Sequence, residues 1–318
     1  MEPKLELVAF LFPGQGSQEV GMGKELAAQY PSAARVFEEA DEIVGFALSR
    51  LCWEGPAEEL NDTINTQPAL LCHSVAVLRV LQSVRPGLRA NWVAGHSLGE
   101  FSALVAAGAV SFPDALRLVR TRGEAMRAAG VRSPGGMAAV LGLELAAVEA
   151  ACSAAQQATG EPVQVANDNC PGQLVISGSR PALAAAIERL RAAGARRVVE
   201  LAVSIAAHSA LMEPAQSELN RAIEATPISV PAIPVIGNVN AAQLRSVADI
   251  REELRSQLTS RVRWTETIRS MLGTGVTYFI ELGTRDVLSN LVRRIDRKVN
   301  AAAVGDPAGI GRLSTEQG

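Results

Sequence analysis

Trp92-Val93-Ala94-Gly95-His96-Ser97-Leu98-Gly99 is a short apolar run that ends in a G-x-S-x-G turn. Glycine on both sides lets the backbone turn sharply, and such a turn lifts a serine hydroxyl out of the end of a strand. The continuation Glu100-Phe101-Ser102-Ala103-Leu104-Val105-Ala106-Ala107-Gly108 reads as a helix. Ser97 therefore stands between strand and helix, the position of a nucleophile elbow. A helix that starts there adds N–H donors and partial positive charge, both suited to an oxyanion. The five residues alone also fit a plain βα turn; the strand before and the helix after favour a nucleophile.

Outward from the elbow, strands alternate with helices. Leu7–Phe12 is an apolar run closed by Pro13-Gly14 and reads as a buried strand. Helices are predicted around Lys24–Tyr30, Ala33–Val44, Gln67–Val84 and Pro113–Ala129. This alternation indicates an α/β fold with a mostly parallel sheet. The pattern changes at Ser133-Pro134-Gly135-Gly136. Strands at Met137–Leu141, Val163–Asn167, Gln173–Gly178 and Arg197–Leu201 frame helices at Leu145–Ala158 and Pro181–Ala193. That β-α-β-β-α-β order is ferredoxin-like. The expected organisation is a large domain from 1–130 and 203–318, with an inserted subdomain at 131–202. Val235–Val239 and Thr277–Leu282 are the later strands of the large domain. From Asn300 onward no periodicity is visible, and fraying is expected.

The chain has 318 residues, 48% of them hydrophobic, enough for a large core. A net charge of −3 argues against a nucleic-acid partner bound by bulk charge. No apolar stretch approaches membrane-spanning length, and the N-terminus lacks a signal-peptide pattern. Cys52, Cys72, Cys152 and Cys170 form no C-x-x-C pair. They read as reduced packing residues of a cytoplasmic protein, with no metal site.

A serine nucleophile needs a base, and the chain has three histidines. His73 lies in an apolar helical pattern and reads as structural. His96 adjoins Ser97, where side chains on an elbow diverge, so it reads as a supporting group rather than the base. His208 remains: it follows the strand-like Val199–Ile205, opens the helical stretch Ser209–Ala225, and lies downstream of the serine, as in elbow enzymes. Residues alone do not select a third member; a carboxylate, a backbone carbonyl or an amide each fits. Phe12-Pro13-Gly14-Gln15-Gly16-Ser17-Gln18 is a second glycine-rich cluster. It misses the dinucleotide spacing because Glu19 stands where a third glycine belongs, and no Lys-Ser/Thr follows as in a P-loop. An oxyanion donor or a plain turn both fit.

Together, Phe12–Gln18, Gly95–Gly108, Ala202–Ser209, Val235–Asn240, Gln257–Trp264 and Glu281-Leu282-Gly283 resemble the malonyl-CoA:acyl carrier protein transacylases, in the same order and over nearly the whole chain. The resemblance implies an α/β-hydrolase-like core with a ferredoxin-like insert. It implies Ser97 as nucleophile, His208 as general base and acid, and Gln15 with the Leu98 N–H as oxyanion donors. It further implies Arg122 as the partner of the malonyl carboxylate, the Gln257 carbonyl as the group orienting the histidine, and Asn167 as a lining residue of the acyl pocket. Residue reading alone does not separate Arg122 from Arg117, Arg120 or Arg127. The implied partners are malonyl-CoA and acyl carrier protein, with no cofactor, in fatty acid synthesis and as a monomer. A discrete polyketide acyltransferase, taking malonyl or methylmalonyl, and a serine esterase or thioesterase are the alternatives. Two positions depart from the family pattern. Ala207 stands where many fatty-acid members carry serine, and Thr284-Arg285-Asp286 replaces the usual Pro-Gly-Lys-like turn.

Overall fold

Ten strands build two sheets in the computed structural model, which describes residues 7–315. In chain order they are β1 Leu7–Phe12, β2 Trp92–Gly95, β3 Gly135–Leu141, β4 Val163–Cys170, β5 Gln173–Ser179, β6 Arg197–Glu200, β7 Val235–Ile236, β8 Gln243–Leu244, β9 Val276–Leu282 and β10 Asn300–Val304.

The larger sheet has the order β10-β9-β1-β2-β7-β8, parallel except for β8 at its edge. Its strands are covered on both faces, which is why β1 is an unbroken apolar run. Side chains alternate between the faces: Val8, Phe10 and Phe12 join one core, Ala9 and Leu11 the other. The register pairs Phe12 with Gly95 and Leu11 with Glu281. The loops after β1, β2 and β9 therefore leave the sheet side by side at its C-terminal edge, where ligands bind in open α/β sheets.

The smaller sheet is antiparallel throughout, in the order β4-β5-β3-β6. Helices Leu145–Thr159 and Arg180–Ala192 pack over it around Ala138, Val140, Ile176, Leu183 and Leu190. This is the ferredoxin-like arrangement.

Several boundaries differ from the sequence reading. Asn300–Val304 does not fray: it is strand β10, parallel to β9, and Pro307–Thr315 is a helix. A run of three alanines carries no period of its own, so only the exposed ladder edge of β9 makes it a strand. β7 ends at Ile236 rather than Val239, which frees Asn238 from the ladder. The strand-like Val199–Ile205 is extended only to Glu200, and the helix after His208 opens with a 3-10 turn at Ala210–Met212 before Glu213–Ala225. Helix Thr63–Val84 begins four residues before the apolar pattern, capped by the Asp62 side chain on the Ile64 N–H. Pro68 sits inside it and supplies no N–H to Ile64. Arg120 Nη1 donates to that freed carbonyl instead, at 3.1 Å.

Candidate active site

Ser97 has φ 52°, a left-handed conformation that costs a non-glycine residue roughly 1 kcal/mol or more. Its flanking glycines are steric requirements of the turn. A Cβ on Gly95 would lie 1.9 Å from the Gly99 backbone, and one on Gly99 would lie 2.0 Å from the Phe12 carbonyl oxygen. Asn238, just past the end of β7, clasps the elbow from both sides. Its Oδ1 accepts from the Ser97 N–H at 2.7 Å, and its Nδ2 donates to the Gly95 carbonyl at 2.8 Å. Leu98 caps helix Gly99–Ala106, so its amide belongs to the first-turn donors of that helix.

Ser97 Oγ lies 2.8 Å from His208 Nε2. His208 Nδ1 faces two carbonyls, Gln257 O at 2.9 Å and Ser260 O at 3.1 Å. Carbonyls only accept, so the proton sits on Nδ1 and Nε2 is left to accept from the serine. Burial, and after it the nearby Arg122 charge, pushes the His208 pKa down to about 3, so the ring is neutral near pH 7. The third member that the residues alone left open is a pair of carbonyls.

Arg122 is separated from its neighbours by burial. Arg117 and Arg127 face solvent and pair with Asp114 and Asp62, and Arg120 pairs with Glu124. Arg122 is 1% exposed, and no carboxylate of the described residues lies within ion-pair distance of it. Its Nη1 donates to Gln67 Oε1 at 2.8 Å, and its Nη2 to Ser97 Oγ at 3.1 Å and Gln257 Oε1 at 3.0 Å. Its Nε has no partner, and its Cζ lies over the Phe101 ring, 5.8 Å from the ring centre. Burial lowers its pKa to about 10, with Glu100 opposing that shift, so the guanidinium stays charged.

Gln257 links these groups. Besides the carbonyl toward His208, its side chain accepts from Arg122, and its Nε2 donates to Ser97 O at 3.0 Å and to Glu100 Oε2. Gln15, on the loop after β1, is exposed, and its Oε1 accepts from Thr63 Oγ1 at 3.0 Å. Gln67 Nε2 donates to that same hydroxyl at 2.9 Å, so an ordered chain runs from Arg122 through Gln67 and Thr63 to Gln15.

His96 turns away from the nucleophile. Its Nε2 meets Asn169 Oδ1 at 2.8 Å, and its ring stands edge-on to Trp264. His73 is buried elsewhere and binds the Gly305 carbonyl. Asn167 is buried in β4, but no hydrogen bond joins it to Ser97, His208 or Arg122 among the described residues. Gln164 on the same strand reaches the site instead, donating to the carbonyls of His208 at 3.0 Å and Thr259 at 3.1 Å. The four cysteines are buried free thiols, and no three His, Cys, Asp or Glu side chains converge among the described residues. Reading of the sequence missed Gln67, Asn238, Gln164 and Glu100. Each is a polar residue inside or beside an apolar stretch, and nothing in their spacing marks them.

Residues 9–317 match the acyl transferase domain family. The chain is 48% identical over 300 residues to the malonyl CoA-acyl carrier protein transacylase of Bacillus subtilis (strain 168), covering 94% of each chain. The protein of that name from Escherichia coli (strain K12) is 43% identical over 94% of this chain and 96% of its own. Among solved structures, an acyl carrier protein S-malonyltransferase from Vibrio cholerae superposes with a TM-score of 0.92 at 44% identity, over 96% of this chain and 99% of that one. A malonyl-transacylase solved in complex with its type II PKS acyl-carrier protein superposes equally well, with a TM-score of 0.92 at 42% identity over 96% and 97% of the two chains. Matched over nearly its whole length, this chain belongs to the acyl transferase family, among the malonyl CoA-acyl carrier protein transacylases.

Proposed function

We propose that this enzyme transfers a malonyl group from malonyl-CoA to the phosphopantetheine thiol of an acyl carrier protein by way of a malonyl-serine. The carrying observation is Arg122: a buried guanidinium without a carboxylate, 3.1 Å from Ser97 Oγ. Buried arginine pairs bidentately with carboxylate and rejects acyl groups that lack the charge. An acyl chain bonded to Ser97 with a carboxylate at its far end fits that spacing.

In the first half-reaction His208 Nε2 takes the Ser97 proton while Oγ attacks the thioester carbonyl. The Leu98 N–H and the Gln15 loop stabilise the oxyanion. The tetrahedral intermediate collapses, the C–S bond breaks, and His208 returns the proton to the leaving coenzyme A thiolate. In the second half-reaction the carrier thiol gives its proton to His208 and attacks malonyl-Ser97. The Ser97 Oγ–C bond breaks, and the proton returns to Oγ. Arg122 holds the malonyl carboxylate throughout, and Asn167 lines the acyl pocket. His96 supports the elbow through Asn169. The reaction so written draws on no resident cofactor. We place it in the cytoplasm, with the enzyme acting as a monomer and supplying extender units for fatty acid synthesis.

Incubation with labelled malonyl-CoA, with and without holo carrier protein, tests this reading. The label should stay on the wild type, be absent from Ser97→Ala and chase onto the carrier. Release of free malonate at the same rate without carrier identifies a hydrolase. Transfer to a polyketide carrier in preference to a fatty-acid one moves the enzyme to that pathway.

A further inference from the structure

A carboxyl group that the transfer chemistry does not use lies behind Gln257. Glu100 follows the second elbow glycine and is fully buried. Glutamate is almost never fully buried unless it is partnered. Both of its oxygens accept: Oε1 from the Asn238 N–H at 3.1 Å, Oε2 from Gln257 Nε2. Beside it stands Glu253, on helix Val247–Ser256, whose Oε1 accepts from the Val239 N–H at 2.7 Å. Burial and the neighbouring charge raise the pKa of Glu100, and burial raises that of Glu253.

The amide of Gln257 has a direction. Arginine carries only donors, so Gln257 must present Oε1 to Arg122. Its Nε2 then points the other way, to the Ser97 carbonyl and to Glu100. A half-turn of that amide would set N–H against guanidinium N–H on one side and oxygen against the Ser97 carbonyl on the other. Two acceptors at the far end oppose it, the Ser97 carbonyl and Glu100 Oε2, and Glu100 is the one supplied by a side chain.

We propose that Glu100 is a positioning residue for acyl transfer: its acceptor oxygens fix the orientation of the Gln257 amide, and through it the guanidinium of Arg122 and the backbone of Ser97. The inference rests on the reaction proposed above. Glu100→Gln distinguishes it from simple packing. Glutamine has nearly the same shape, but only one of its two terminal atoms accepts. With its oxygen kept on Asn238, its N–H opposes Gln257 Nε2 and drives the amide to turn. Glu253→Gln is the control, because the new amide can donate to Glu100 while its oxygen still accepts from Val239.

Acylation of Ser97 is followed by intact-protein mass with malonyl-CoA and with acetyl-CoA, on folded protein checked by thermal melting. Wild type should prefer malonyl. Glu100→Gln should lose about tenfold or more of that preference, because its buried polar groups no longer pair correctly. Glu253→Gln should keep the preference within about threefold, since its partners stay satisfied. Gln257→Met removes the amide but keeps the backbone carbonyl, and should lose the preference as Glu100→Gln does; it decides the matter if Glu100→Gln does not fold. Retention of the preference in Glu100→Gln, or in Gln257→Met, overturns the role of Glu100 alone. A wild type that takes no malonyl group overturns the functional reading and this one with it.

Discussion

Arg122→Met should convert a malonyl-selective enzyme into one that hardly distinguishes malonyl from acetyl. Methionine keeps much of the length and the apolar stem but removes the guanidinium. In the structure that group is buried, holds no carboxylate, and directs Nη2 at Ser97 Oγ. A malonyl carboxylate placed on it gains two charge-assisted hydrogen bonds, each contributing about 1.5–3 kcal/mol. Without the arginine the same carboxylate is left desolvated and unpaired, a loss of about 3–5 kcal/mol. Taking about 4 kcal/mol, at 1.36 kcal/mol per decade, kcat/KM for malonyl-CoA falls roughly 10²–10³-fold. Acetyl-CoA carries no charge there, and its kcat/KM should move by less than about tenfold. Gln67 and Gln257 each lose a donor to a buried oxygen, which costs stability at about 1–3 kcal/mol per group. Rates must therefore be measured well below the melting transition. The assay is the rate of coenzyme A release in single turnover with each donor. Equal losses for malonyl and acetyl would refute the reasoning, because they would mean that Arg122 acts on Ser97 and not on the acyl carboxylate.

The His208 pKa is depressed from 6.5 to about 3, so the base stays neutral in acid, and kcat/KM should be flat from about pH 8 to 5, falling only below about pH 4. Arg122→Met removes one of the charges that depress it and should move that acid limb upward; a wild-type limb between pH 6 and 7 would contradict the assignment. Stability runs the same way: a histidine held neutral contributes fully above pH 6.5, and the contribution is lost as pH falls toward 3. Gly99→Ala drives a Cβ to 2.0 Å from Phe12 O and should cost about 3 kcal/mol or more in urea unfolding. Gly87→Ala, which meets open space, should change stability by less than about 0.5 kcal/mol.

Local chemistry made much of this protein legible from its sequence. The elbow is visible in part because Gly95 is demanded by a contact within a few residues, the Gly99 backbone, whereas Gly99 answers to distant Phe12. Apolar runs and their periods exposed β1, β2 and the antiparallel subdomain, since each element's own burial pattern is written in its residues. His208 emerged because only three histidines compete for the role. The tertiary structure alone decided what depends on distant partners. Asn300–Val304 is a strand because β9 offers it an edge, not because three alanines prefer one. Arg122 stands two residues from Arg120, roughly 200° around the helix, which takes one side chain into the core and leaves the other beside solvent. Asn238, Gln67 and Gln164 join the site across separations of 141, 55 and 44 residues to Ser97, Arg122 and His208. Hydrogen bonds of that reach follow no repeat in the chain; they exist only once packing has brought the groups together, and burial then requires that each be satisfied.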